Sequence, residues 1–82
     1  EYGGRDGLVR RHHASEVRTL DDYRARYAQY RTDPALQKAH AMCPWFLTWD
    51  DHEVDNNYAN EFGENRMESA EQMRQRRAAG YQ

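Results

Sequence analysis

Apolar positions at helical spacing predict a first amphipathic helix in the N-terminal half of the chain. They recur at steps of three, four and three, at Leu20, Tyr23, Tyr27 and Tyr30. This spacing places them on one face of a helix of about eleven residues. The helix is expected to begin near Leu20, because Thr19 is a good N-cap and carboxylates follow it in the first turn.

A second, shorter helix is predicted to begin at Asp33-Pro34, since aspartate caps helices well and proline is tolerated at the first helical position. Pro44 is expected to end it at about Met42 or Cys43. Its predicted inner face consists of Leu36, Ala39 or His40, and Cys43. The single cysteine is therefore expected to be a buried thiol, and His40 a packed histidine rather than a ligand.

A third helix is predicted from about Ala70 through Arg77, with Ser69 as its cap. Met73 and Tyr81 are its expected apolar positions. The arginines at 74, 76 and 77 are expected to form its solvated face, with carboxylates such as Glu71 nearby to pair with.

The pattern changes between the second and third helices. Residues 45–49, Trp-Phe-Leu-Thr-Trp, form a short, nearly continuous apolar run bounded by Pro44 and by acidic residues, which predicts a buried strand. Residues 54–65 are rich in Asn, Asp and Gly and predict an ordered loop, and residues 1–15 predict a surface loop that includes His12 and His13. The expected class is α/β, with two or three helices around one buried strand.

Composition limits the size of the core. With 82 residues, of which 38% are hydrophobic and 32% charged, the chain can bury only a small core, and its independent stability is doubtful. A net charge of -2 gives no electrostatic footprint for nucleic acid or an anionic membrane. No apolar run approaches the roughly 18 residues of a transmembrane span.

Four polar residues, Asp50 to Glu53, follow directly after the predicted strand, where open α/β sheets bind ligands. Carboxylate oxygen and imidazole nitrogen hold hard or borderline cations, and a nearby imidazole can bind a phosphate or protonate a leaving oxygen. Acidic clusters after a strand also commonly just cap or solvate a turn, so the spacing leaves both interpretations open. A different hypothesis is a non-catalytic interaction module that uses the face of Tyr23, Tyr27 and Tyr30.

Several motifs occur together in one order: Asp33-Pro34, Pro44-Trp45, and the run Thr-Trp-Asp-Asp-His-Glu-Val-Asp-Asn-Asn at residues 48–57. This combination resembles the central block of PhoD-like alkaline phosphatases and phosphodiesterases, and residues 22–27 and 76–79 are also similar to that family. The resemblance implies a four-layer α/β/β/α metallophosphoesterase fold. It also implies hydrolysis of phosphate esters at a dinuclear metal centre, with Fe³⁺ and Ca²⁺ as the expected metals, in an extracellular or periplasmic protein.

The resemblance also implies roles for individual residues. In the wider calcineurin-like metallophosphoesterases the block is Gly-Asn-His followed by Glu or Asp, and Asp51 stands at its Asn position and His52 at its His position. Asp51 is favoured over Asp50 as the metal ligand, with the choice left open, and His52 is expected to contact the phosphate. Glu53 is expected to orient His52 by a hydrogen bond. Asn56 and Asn57 are expected to shape the pocket.

The resemblance predicts that residues 1–82 are one part of a catalytic domain, truncated at both ends. The family's other ligand blocks, an early Asp or Cys, a Gly-Asp block followed by Tyr, and late His or Asp ligands, are not found in this sequence. Each metal needs at least four ligands, so the rest of the catalytic domain is required and the isolated chain is expected to be inactive. Mono- versus diester preference is not encoded in these residues.

Overall fold

The computed structural model describes residues 11–13, 15–64 and 67–82. Helix α1 spans Leu20–Arg31, α2 spans Pro34–Met42 and α3 spans Ala70–Gly80, and a short 3-10 helix lies at Asp51–Glu53. Within these described ranges there is no β-strand, only an isolated antiparallel bridge between Ala59 and Phe62. None of the helices in this part of the chain is long and apolar enough to cross a membrane.

The predicted starts of all three helices are confirmed, because each is encoded by its cap. The Thr19 hydroxyl accepts from the Asp22 backbone N–H at 3.2 Å, and the Asp22 carboxylate accepts from the Thr19 N–H at 2.9 Å. These backbone and hydroxyl contacts hold the pKa of Asp22 below its usual range. Ser69 and Gln72 make the same reciprocal box at α3. At the start of α2, the Asp33 carboxylate accepts hydrogen bonds from the backbone N–H groups of Ala35 and Leu36.

The core lies where α1 packs against α3 and against the start of the loop after the 3-10 helix. Its buried apolar side chains among the described residues are Val17, Tyr23, Val54 and Met73. Val54 and Met73 are completely inaccessible. Gly80 allows a close approach here, since a Cβ at that position would lie 3.2 Å from the Tyr23 hydroxyl. The small core agrees with the composition.

The predicted buried strand at residues 45–49 is not observed in the described part of the chain. Residues 44–50 form no strand or helix, and Phe46 is fully exposed, with Leu47 79% exposed. A strand is stabilised by ladder hydrogen bonds to a neighbouring strand and by burial of its faces. The described part of the chain supplies neither, so the apolar run lies on the surface.

The predicted inner face of α2 is also wrong, because α2 buries no residue. Leu36 and Ala39 are half-buried, whereas His40 and Cys43 are exposed. His40 stacks on Trp45, with ring centroids 4.1 Å apart. The cause is the same as for the predicted strand. Residues 45–49 do not cover α2 except at Trp45, so the Cys43 thiol and the His40 imidazole stay accessible.

The third helix departs from prediction at two residues and extends to Gly80. Arg76, predicted on the solvated face, is 2% exposed and ion-paired, because it lies three residues from Met73 on the face that packs inward. Tyr81 is not a buried position of the helix but its C-cap, half-exposed and stacked on Trp49 at 4.5 Å. Arg74 is exposed as predicted and pairs with Glu71 at 2.8 Å. Residues 1–10 and 14 of the predicted N-terminal loop lie outside the described residues.

Candidate metal centre

Residues 44–50, which form no strand or helix, end at Asp50. The 3-10 helix that follows brings three potential metal ligands close together. Asp50, Asp51 and His52 each offer a ligand atom, and these atoms lie within 4.8 Å of one another. Asp50 is exposed and the other two are half-buried. Because these side chains are consecutive, a single tight turn is sufficient to bring them together, and two carboxylates with an imidazole suit a hard or borderline cation.

The carboxylate of Asp51 is fixed by the backbone of the loop that follows it. The Asn57 N–H donates to Asp51 Oδ2, and Asn57 adopts a left-handed φ of 51°, which asparagine tolerates better than most residues. The backbone carbonyl of Asp51 accepts from Val54 at 2.8 Å and from Asp55 at 3.0 Å. The Asn57 N–H above all, and then Asp50 and the charge of His52, hold the pKa of Asp51 below its usual range. The lowered pKa favours the ionised carboxylate, which is the form that binds a metal.

The side chains of Asn56 and Asn57 both donate to the carboxylate of Glu64, at 2.6 and 3.1 Å. These contacts hold the pKa of Glu64 below its usual range. They join the two ends of the loop that follows the ligand cluster. The expectation that both asparagines shape a substrate pocket stays a prediction.

Glu53 connects the cluster to α1. Its carboxylate accepts from the Tyr27 hydroxyl at 3.3 Å, and burial followed by the charge of Glu53 raises the pKa of Tyr27. The predicted role of Glu53 in orienting His52 stays a prediction. The observed bond shows that Glu53 is held against a helix rather than exposed to solvent on all sides.

Two residues that were not predicted to take part in the site, Arg76 and Val54, anchor the loop after the ligand cluster. Arg76 Nη1 lies 3.6 Å from the Asp55 carboxylate, and Val54, one residue earlier, is fully buried. The signal that could have identified Arg76 is its spacing, since positions 73, 76 and 80 follow one face of α3 and Met73 was already assigned to the core.

The face of tyrosines on α1 is not a continuous exposed surface. Tyr23 is 8% exposed and belongs to the core, whereas Tyr27 is 51% exposed. The Tyr30 hydroxyl is hydrogen bonded to His12 Nδ1 at 3.0 Å. Tyr27 also lines an open groove of about 580 Å³ between α1, Trp49 and Tyr81. The burial of Tyr23 disfavours the hypothesis of a three-tyrosine binding face.

Comparison with known proteins identifies the family of this chain. The family model described as PhoD-like phosphatase matches residues 1–82, and the chain therefore belongs to the PhoD-like phosphatase family. It is 55% identical over 82 residues to alkaline phosphatase D of Bacillus subtilis (strain 168), a match that covers 100% of this chain and 14% of that protein. A solved structure described as "Structure of PhoD" is also 55% identical. It matches with a TM-score of 0.82 over 94% of this chain and 15% of its own.

Proposed function

We propose that these residues are an internal part of the catalytic domain of a metal-dependent phosphoric ester hydrolase, an alkaline phosphatase or phosphodiesterase. The observation that supports this most strongly is the convergence of Asp50, Asp51 and His52 within 4.8 Å in a chain of the PhoD-like family. Because the chain spans only 14% of the length of its Bacillus subtilis relative, the activity is proposed for the longer protein and the isolated chain is expected to be inactive.

The residues of the cluster fit a dinuclear centre of Fe³⁺ and Ca²⁺ in part. Carboxylate oxygens suit both ions and imidazole nitrogen suits iron. Asp51 is the favoured ligand, since the Asn57 N–H fixes its carboxylate, and Asp50 is the alternative. Three donors are fewer than two metals need, so we infer that further ligands come from other parts of the longer protein. When bound, such ions lower the pKa of a water molecule and neutralise charge on the phosphoryl oxygens.

In this proposal His52 serves the phosphoryl group. Water oxygen forms a bond to phosphorus and loses a proton to solvent, while the bond from phosphorus to the ester oxygen breaks. The protonated imidazole of His52 hydrogen-bonds a phosphoryl oxygen or passes its proton to the leaving oxygen, which departs as a neutral alcohol. Glu53 supports His52 from a position fixed by Tyr27, and Asn56 and Asn57 limit the space beside it.

We also propose a place for the exposed apolar run. In the longer protein, residues 45–49 would pair with a neighbouring strand in a four-layer α/β/β/α fold, burying Phe46 and Leu47, which are largely exposed here. That pairing would set Asp50 at the carboxyl end of a strand. An extracellular or periplasmic location belongs to the same proposal and rests on the family resemblance alone.

The test of this function is chelation of the full-length protein that contains this sequence. We expect it to hydrolyse bis-p-nitrophenyl phosphate or p-nitrophenyl phosphate, to lose at least about 90% of that rate after dialysis against EDTA, and to recover when Fe³⁺ and Ca²⁺ are returned. The 82-residue chain, assayed in parallel, should show no hydrolysis above buffer. A rate that survives removal of all bound metal would contradict the proposal.

A further inference from the structure

Arg76 is the most buried charged side chain among the described residues, and it joins three separate segments. Its Nη2 lies 2.8 Å from Glu16 Oε1, and its Nη1 lies 3.1 Å from Glu68 Oε1 and 3.6 Å from Asp55 Oδ1. Withdrawing a guanidinium from water is costly unless carboxylates compensate it. The arginine therefore fixes the relative positions of the segment before α1, the loop before α3 and the loop after the ligand cluster.

Asp55 is held on both of its oxygens. Oδ1 faces Arg76, and Oδ2 accepts from the backbone N–H of Glu64 at 3.3 Å. The neighbouring Gly63 is buried, and a Cβ at that position would overlap Asp55 Oδ2. The Asp55 carboxylate thus occupies a space that only a glycine at position 63 leaves open.

Two backbone hydrogen bonds of Asp55 flank Asn57. The N–H of Asp55 donates to the Asp51 carbonyl at 3.0 Å, and the carbonyl of Asp55 accepts from Tyr58 at 3.2 Å. Between these two bonds lies the Asn57 N–H that donates to the Asp51 carboxylate. Asp55 thus ties this hydrogen-bonded turn to Arg76 of α3, in addition to the contacts of Tyr58 with Arg77 and Tyr81.

We propose that Arg76, acting through Asp55, is a positioning residue for the Asp51 ligand. The inference rests on the proposed function, since it assigns Asp51 to the metal. Arg76 holds the Asp55 carboxylate, Asp55 holds the turn, and the turn presents the Asn57 N–H that fixes one oxygen of Asp51 and leaves the other for the cation. Groups that orient a ligand in this way typically change metal affinity about 10–100-fold when they are removed.

The experiment is Mn²⁺ titration of the metal-stripped full-length protein, followed by electron paramagnetic resonance. Asp55→Asn and Arg76→Met are each expected to weaken Mn²⁺ binding about tenfold or more, and the double variant to be no weaker than Arg76→Met alone, because both act through one contact. Arg76→Lys should restore part of the affinity. Arg74→Met, which removes an exposed arginine of the same helix, is the matched control and should bind Mn²⁺ normally.

The variants separate the possible outcomes. If Arg76→Met does not fold, Asp55→Asn and Gly63→Ala provide the test, because both retain the pairs of Arg76 with Glu16 and Glu68. Weakened binding by Asp51→Asn together with unchanged binding by Asp55→Asn, Gly63→Ala and any folded Arg76 variant would overturn the inference and leave the proposed function standing. Unchanged Mn²⁺ binding by Asp51→Asn would also overturn the inference, and unchanged binding by both Asp51→Asn and Asp50→Asn would contradict the proposed metal site.

Discussion

Replacing His52 with alanine is expected to lower kcat/KM for bis-p-nitrophenyl phosphate about 10²–10⁴-fold in the full-length protein that contains this sequence. The imidazole is half-buried and lies beside two carboxylates. In the proposed mechanism it contacts a phosphoryl oxygen while the acidic groups hold a cation. A loss that appears mainly in kcat would indicate that His52 acts in the transition state, whereas a rise in KM alone would indicate substrate binding.

The matched control is His40→Ala. His40 is exposed and stacks on Trp45 outside the ligand cluster, so its loss should leave the rate unchanged. Metal content should be measured for both variants, because a drop in metal content would assign His52 to the cation rather than to the phosphate. Equal activity of His52→Ala and the unmodified protein would show that the catalytic assignment is wrong.

The second large effect is expected on stability. Met73→Ala should lower the free energy of unfolding of the chain by about 2–5 kcal/mol, since truncating a buried methionine removes its burial and leaves a cavity. Met73 is 0% exposed and lies under the Asp55 loop, with its sulfur 3.5 Å from a Cβ placed on Gly63. The measurement is urea unfolding followed by circular dichroism.

Met67→Ala is the control for this prediction, because Met67 is 89% exposed and has little burial to lose. We expect that variant to unfold within about 0.5 kcal/mol of the unmodified chain. If Met67→Ala and Met73→Ala had the same effect, the α1–α3 core described here would not be the core of the protein in solution.

The helix starts could be predicted from the sequence because the determinants are local. Thr19, Asp33 and Ser69 each cap a helix through groups no more than three residues away. The end of α3 was predicted too early, at Arg77. Ala78 and Ala79 are good helix formers and continue the helix to Gly80.

The strand could not be predicted correctly because it depends on partners. Residues 45–49 have the composition of a buried strand, but an apolar run forms one only when another strand supplies its backbone hydrogen bonds. The same limitation applies to α2, where Leu36 and Ala39 are only half-buried and His40 is exposed although it stacks on Trp45. The large apolar side chains between Met42 and Trp49 are exposed. We propose that other parts of the longer protein cover them.

The candidate site was predictable only where its residues are consecutive. Asp50, Asp51 and His52 meet because they are neighbours in one turn. The contacts that hold them come from distant positions: Tyr27 reaches Glu53 across 26 residues, and Arg76 reaches Asp55 from another helix. Arg76 follows Met73 by three residues on the inward face of α3, but arginine is seldom fully buried, so the anchoring arginine was predicted to face solvent.

The most direct test of the account is a crystal structure of the full-length protein with bound phosphate, with diffraction data collected at the iron absorption edge. If Asp51 or Asp50 binds the metal, an anomalous peak should lie about 2.0–2.6 Å from one of its carboxylate oxygens. The imidazole of His52 should lie within hydrogen-bonding distance of the phosphate. Metal ions bound elsewhere, with all three side chains contacting only solvent, would contradict it.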